Sequence, residues 1–305
     1  MQIQHRIKGT LLAPPKGSHW SEETSRHWGY VQLCRRTHRH QWCSAIDGNG
    51  KTWWQSSRKT NSNIASKLAP TALTFYSCSN LNVENLKLVN SQQIHISAEH
   101  CIHVHVARLS ITAPGTSRHR LHPYHTQQKC TVKTGDDWSI EDGTENLHVK
   151  NIACGSGHGD NGSEAHVTNV TVDTARLHGT TNGARIKTWQ GGRGYAKNIV
   201  FQNMIMDNVL NHVIIDQKYC DSATPCKKQS SAVEVSNVLF KNIRGTSASK
   251  EAIKLRCSTS VPCHGIALHN VKLTLKGDED AKSSCVNVEW RKSGTVLPEP
   301  CTRMN

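Results

Sequence analysis

The chain contains no run of about 18 or more apolar residues, which argues against a membrane-spanning helix. Neither Cys-x-x-Cys nor His-Glu-x-x-His occurs, so the spacings that usually build a zinc site are missing. The opening M-Q-I-Q-H-R-I-K-G-T-L-L-A-P-P lacks the charged start and long apolar core of a signal peptide, and reads as an intracellular, mature or truncated form. Convincing amphipathic helices are also lacking, which disfavours a doubly wound α/β fold. Acidic residues are in short supply, with 23 Asp and Glu against 37 Lys and Arg and a formal net charge of +14.

That charge favours a polyanionic partner, whether nucleic acid, anionic lipid or acidic polysaccharide. The 19 histidines would add positive charge below about pH 6.5. Twelve cysteines are present, and in the last third they pair off over short loops as Cys220 and Cys226, Cys257 and Cys263, and Cys285 and Cys301. Such pairs suit disulfides in an oxidising compartment and point to a secreted protein. The sequons at Asn161 and Asn169 agree with that reading.

Self-similarity is the main organising signal. N-L-N-V-E-N-L (80–86), N-L-H-V-K-N-I (146–152), N-I-V-F-Q-N-M (198–204) and N-V-L-F-K-N-I (237–243) share one template. Looser copies lie at 102–109, 166–172 and 265–271. Each alternates apolar and polar residues, the period of a short strand, and asparagine recurs at the edges, where its side chain is expected to bond to turn backbone. The irregular spacing predicts a parallel β-helix, in which each coil buries its inward side chains against its neighbours, in preference to a β-sandwich. Two Arg- and His-rich stretches, R-R-T-H-R-H-Q-W-C (35–43) and R-H-R-L-H-P-Y-H (118–125), lack strand alternation and are expected to mark lost strands. One domain spanning 1–305 is expected, with 1–45 as atypical, truncated first coils.

In T-G-D-D-W (134–138), Asp136 and Asp137 follow a glycine. Alone, such a motif is more often a solvated turn, but crowded carboxylates split their pKa values, so one can stay protonated while another ionises. Glycosidic cleavage needs that division of labour, an acid for the leaving oxygen and a carboxylate to activate water. His158 lies between two glycines in C-G-S-G-H-G (154–159), where a buried structural histidine is the plainer reading. Arg185 and Lys187, two apart on a predicted strand, project from one face and could grip a carboxylate. Tyr219 ends I-I-D-Q-K-Y, next to Cys220.

Taken in order with I-D-G-N-G-K-T-W-W (46–54), S-I-T-A-P-G (110–115) and N-G-A-R-I-K-T-W-Q-G-G (182–192), these motifs make the chain resemble the plant polygalacturonases of glycoside hydrolase family 28, from about residue 45 onward. The resemblance implies an all-β, single-stranded right-handed parallel β-helix of the pectin-lyase-like kind. It implies hydrolysis of 1,4-linked galacturonan with inversion, with Asp136 as general acid and Asp137 holding the nucleophilic water. In the same reading His158 influences the acid's protonation, while Arg185, Lys187 and Tyr219 line a uronate subsite. The expected partner is polygalacturonate, with no cofactor, metal, nucleic acid or membrane, and the expected state is a secreted, cell-wall monomer.

The chain departs from the family pattern at three neighbouring places, one of them after C-G-S-G-H-G, where the usual apolar strand gives way to D-N-G-S-E-A-H-V. The family's Asn-Thr-Asp segment is replaced by S-R-H-R-L-H-P-Y-H (117–125), and no acidic residue lies between Gly115 and Asp136. Trp138 also stands where the family has a cysteine, the partner of the position held here by Cys154. A catalytically impaired, pectin-binding solenoid is therefore the alternative expectation. A lyase is disfavoured, because nothing resembles a clustered calcium site.

Overall fold

The computed structural model describes residues 3–14, 27–32, 38–55, 69–84, 86–92, 94–107, 110–112, 131–133, 139–140, 144–150, 157–158, 164–179, 182–219, 229–277, 279–299 and 301. In chain order the elements begin with β1 (Ile3–Leu12), β2 (His27–Gln32), β3 (His38–Asp47), the short helix α1 (Lys51–Gln55), β4 (Thr71–Tyr76), β5 (Leu81–Glu84) and β6 (Lys87–Val89). Next come β7 (Ile96–Glu99), β8 (His105–Ala107), β9 (Ser110–Thr112), β10 (Thr131–Lys133), β11 (Ser139–Ile140), β12 (Thr144–Lys150) and β13 (Gly157–His158). The long strands follow: β14 (Glu164–Asp173), β15 (Arg176–His178), β16 (Asn182–Trp189), β17 (Arg193–Val209) and β18 (Asn211–Tyr219). The last are β19 (Glu234–Ser247), β20 (Glu251–Arg256), β21 (Cys263–Leu275), β22 (Lys282–Val286) and β23 (Val288–Leu297).

These strands form three sheets in which every neighbouring pair is parallel. Sheet A holds 14 strands, including β14, β17, β19, β21 and β23; sheet B runs β11-β7-β4-β2; sheet C runs β13-β16-β18-β20-β22. A strand therefore pairs with its counterpart one coil later, as a solenoid requires, and all seven template copies supply strands of sheet A. The product is a right-handed parallel β-helix, as the sequence predicts.

Side chains that point inward stack in files through successive coils. Val172, Phe201, Phe240 and Leu268 form one file, and Ile186, Ile215, Leu255 and Cys285 form another; Cys285 at 9% is the most exposed of them. The Phe201 and Phe240 rings lie 5.4 Å apart and 5° from parallel. An aromatic pair of this kind adds about 0.5–1.5 kcal/mol beyond its burial.

The template asparagines behave differently from the turn-to-backbone bonding expected of them. Asn198, Asn203 and Asn208 have φ of 57°, 57° and 53°, and they bend the long β17 into short straight segments. Asparagine visits this left-handed region more cheaply than other chiral residues. Their amides bond to one another between coils. Asn198 Nδ2 donates to Asn169 Oδ1 at 3.1 Å and Asn237 Nδ2 to Asn198 Oδ1 at 3.3 Å, across separations of 29 and 39 residues. A second ladder runs from Asn270 to Asn242 to Asn203 and ends on Asp173 Oδ1 at 2.8 Å. Glycines stop both ladders: a Cβ at Gly265 would lie 2.5 Å from Asn237 Oδ1, and one at Gly294 would lie 2.0 Å from Asn270 Oδ1. Asn169, one of the two sequon asparagines, is therefore also a rung of a ladder.

Two of the three short-loop cysteine pairs are disulfides, Cys257–Cys263 and Cys285–Cys301. The Cys220 and Cys226 pair lies outside the described residues. The expectation of a lost strand at 35–43 is corrected over its larger part. His38–Asp47 is a continuous strand paired with β1 on one side and with β5 and β6 on the other. Its sequence lacks apolar alternation, but backbone hydrogen bonding from two flanking strands sets the conformation. Of the second stretch, 118–125 lies outside the described residues, whereas Thr131–Lys133 just after it pairs with β9 and β15.

Candidate functional site

Sheet C carries the site. On β16, Ala184, Ile186 and Thr188 are buried, while Arg185, Lys187 and Trp189 face outward at alternate positions. This is the pleat acting on R-I-K-T-W, and it places two cations and an indole in one row. Along the next strand, β18, Ile215 and Gln217 point inward and Asp216 points outward.

Between β16 and β18 the register slips. Lys187 pairs with Asp216, yet Trp189 pairs with Tyr219, so β18 has one residue more than β16 over this stretch. A bulge breaks the inside–outside alternation and re-aims the side chains that follow it. Lys218 and Tyr219 are both off the core as a result. The Tyr219 ring then meets Trp189 edge-to-face at 5.1 Å, with the Lys187 ammonium 4.4 Å and the Arg185 guanidinium 5.7 Å from its centroid. Both cations are within reach of the ring's negative face, which fixes where they stand. Tyr219 thus positions the two cations while leaving this row on the outer face.

Gln217 anchors the bulge from inside. Its Nε2 donates to Val233 O at 2.7 Å, and its Oε1 accepts from Ser258 N at 2.8 Å. The Cys263 sulfur of the nearby disulfide lies 3.1 Å from the same oxygen. The inward residue of D-Q-K-Y therefore holds the strand that presents the outward ones.

Across the next coil the charged surface continues. Arg185 is in register with Ile214 and then Lys254, and Lys187 with Asp216 and then Arg256. Lys254 and Arg256 both approach Glu251, at 3.4 Å and 3.7 Å. The Ser284 hydroxyl, together with these two cations, holds the Glu251 carboxyl below its usual range against the opposing effect of partial burial. Lys254 Nζ also donates to Asn211 Oδ1 at 3.1 Å. These pairings tie Lys254 and Arg256 to neighbouring side chains.

Four of the six site residues expected from sequence are brought onto one sheet. Arg185 and Lys187 are on β16, Tyr219 is at the end of β18, and His158 is on β13, the strand on the other side of β16. The backbone of Gly157 is in register with Lys187 and that of His158 with Thr188. Asp136 and Asp137 lie outside the described residues. Sequence reasoning missed Trp189 and Asp216. Trp189 was available from the same every-second-residue rule that linked Arg185 to Lys187. Among the described residues no group of three or more His, Cys, Asp or Glu side chains is placed to hold a metal ion.

The class of protein is set by architecture. The chain resembles the endo-xylogalacturonan hydrolase from Aspergillus tubingensis with a TM-score of 0.70 and 19% identity, over 95% of this chain and 86% of that one. It resembles the polygalacturonase from Erwinia carotovora ssp. carotovora with a TM-score of 0.65 and 18% identity, over 95% and 83%. At these identities the likeness establishes the fold, a parallel β-helix. Residues 38–295 match the family Glycosyl hydrolases family 28. A polygalacturonase of Arabidopsis thaliana is 45% identical over 97% of this chain and 70% of its own length. Polygalacturonases of Persea americana and Solanum lycopersicum are 45% and 46% identical, over 94% and 85% of this chain. The chain belongs to glycosyl hydrolases family 28. It spans 70%, 65% and 60% of the length of these three curated relatives.

Proposed function

We propose that this chain hydrolyses 1,4-α-D-galacturonosyl linkages in polygalacturonan, with inversion, in the plant cell wall. The observation that carries the reading is the row of Arg185, Lys187 and Trp189 arranged about the Tyr219 ring, one strand away from His158. Two fixed cations beside an aromatic wall suit a ring that bears a carboxylate: the cations take the charge and the indole offers an apolar side. The formal charge of +14 favours approach of a polyanion.

In the mechanism that follows, Asp136 protonates the leaving glycosidic oxygen and Asp137 activates a water on the opposite side of the sugar ring. His158 influences the protonation of the acid. Arg185 and Lys187 hold the uronate in place, so that neither carboxylate has to bind the substrate as well as react with it. Secretion, a monomeric state and independence of any cofactor belong to the same proposal, and the disulfides Cys257–Cys263 and Cys285–Cys301 accord with an oxidising compartment.

The test is release of reducing ends from polygalacturonate by the purified chain, repeated with Asp136→Asn and with Lys187→Ala. Loss of the acid should lower the rate by about 10² to 10⁴-fold while polymer binding persists. Lys187→Ala should weaken binding of galacturonan more than that of a neutral glucan. Binding of the polymer with no reducing ends released would replace this proposal with the binding-solenoid alternative. Unsaturated products would reveal a lyase.

A further inference from the structure

A second charged surface lies away from the Tyr219 site, on sheet A. It occupies the segments that follow the asparagine ladder formed by Asn203, Asn242 and Asn270. Two adjoining hollows of about 650 Å³ and about 450 Å³ share Ile205, Arg244 and Lys272 and so form one groove. Its middle row is Arg176, Ile205, Arg244 and Lys272, in register across four successive coils. The three basic residues of that row are exposed. Among the described residues Arg244 and Lys272 make no ion pair.

The flanks of this row are polar. On one side stand the ladder amides. On the other stand Thr246, Thr274 and Asp207, the only acidic residue among those lining the groove. Asp207 is already engaged: the Thr246 hydroxyl donates to its Oδ1 at 3.0 Å, and His178 Nδ1 lies 2.7 Å from its Oδ2. Burial raises its pKa, but Thr246, His178 and Arg176 outweigh this and hold it below the usual range. The groove thus offers Arg244 and Lys272 in the middle with amides and hydroxyls at its edges, over a floor that includes Met204, Ile205, Met206 and Ile243. Coils are spaced by about 4.8 Å, so Arg244 and Lys272 present charge at short, regular intervals along the solenoid axis.

We propose that this groove is an accessory binding surface for a strand of acidic polysaccharide, in which Arg244 and Lys272 take the uronate carboxylates and the flanking amides and hydroxyls take sugar hydroxyls. The choice of a uronate polymer rests on the proposed function; the existence of the anion-binding groove does not. The surface holds the polymer beside the enzyme, performs no chemistry, and should matter only for chains long enough to reach it.

The experiment compares the parent with Arg244→Gln/Lys272→Gln in retention on immobilised polygalacturonate and in hydrolysis of trigalacturonate. Matching thermal midpoints confirm that both are folded. Retention at low salt should fall by about fivefold to tenfold in the double variant and vanish for both proteins as salt rises, with trigalacturonate turnover unchanged. Equal retention of the two proteins would overturn the groove while leaving the proposed function standing. Retention lost in the variant from a parent that hydrolyses nothing would keep the groove and remove the proposed function. An equal loss on immobilised dextran sulfate would overturn the uronate assignment and leave a general anion exchanger. Absence of retention in the parent would overturn the groove outright.

Discussion

The coils from residue 164 onward and those before residue 112 follow the same fold by different means. In the later coils the strands of sheet A are long, with 17 residues in β17, 14 in β19 and 13 in β21. In the earlier coils β1 and β3 still run for ten residues each, but beyond them the same path is cut into pieces: β5 has four residues, and β6, β8 and β9 have three each. The bends differ in part. Later coils put Asn198, Asn203, Asn237, Asn242 and Asn270 at positive φ, where each also serves as a rung. Earlier coils mix Asn49, Asn80 and Asn90 with Ser77, His100 and His103 at such positions, and the later coils also use Thr174. A side chain other than asparagine pays roughly 1–2 kcal/mol for that conformation. Where the bending residue also bonds to the next coil, turning the chain and stacking it become one act.

The largest test of this contrast uses matched phenylalanines. Phe240 in the later coils is 0% exposed and Phe75 in the earlier ones is 1% exposed. Truncation to alanine should cost about 3–5 kcal/mol, nearer 5 for Phe240 in its aromatic file and nearer 3 for Phe75, as read by denaturant unfolding. Equal costs would mean that the two halves are equally well packed.

Buried histidines give the next effect. His95, with Ser91 Oγ 2.6 Å from its Nδ1, is held neutral by burial with its pKa down to about 3. In the later coils burial lowers His212 to about 4, although the Thr246 carbonyl opposes this. Between about pH 6.5 and those values the unfolded chain binds a proton that the folded chain does not. Stability must therefore fall as pH falls, by about 1.4 kcal/mol per unit for each histidine. By pH 4.5 each contributes a loss of about 2–3 kcal/mol. His95→Gln should lower the slope of stability against pH by about one proton between pH 4.5 and 6; an unchanged slope would show that His95 is not the buried neutral group described.

The ladder itself comes next. Asn242→Ala keeps a Cβ at positive φ and removes a rung, and should cost about 1–2 kcal/mol. Asn242→Gly removes only the rung and should cost less than 1 kcal/mol. If the two changes cost the same, the backbone conformation has no part in the difference between the halves. The smallest effect has the opposite sign: His103→Gly, at φ 55°, should raise the thermal midpoint slightly, by the equivalent of up to about 1 kcal/mol.

Much of this architecture is legible in the sequence because the inward positions repeat. N-I-V-F-Q-N-M and N-V-L-F-K-N-I announce Ile199, Phe201, Val238 and Phe240 as stacked core, and they stack. The asparagines at the template edges are equally visible, but a single strand gives no hint that their partners lie 29 or 39 residues away. Strand β3 was missed because His38–Cys43 has no apolar alternation, and pairing by neighbours on both sides leaves no local signature. At the candidate site, the outward row of Arg185 and Lys187 follows from the pleat alone. The role of Tyr219 as a platform does not, because it depends on one extra residue in β18 that only the alignment with β16 reveals.

The ladder that ends on Asp173 also has an electrical consequence. From Asn270 to Asn242 to Asn203 every amide donates toward the earlier coil, so the side-chain dipoles point head to tail along the solenoid axis, and hydrogen-bond chains of this kind polarise one another. The donor end of the series meets a carboxylate, which also accepts from Gln202 Nε2 at 3.0 Å. This is the arrangement of an acidic residue at the start of an α-helix, made here from side chains instead of peptide groups. Negative charge at Asp173 and alignment of the amides therefore support each other, and the last rung supplies a fixed anion that the oriented series is already turned to receive.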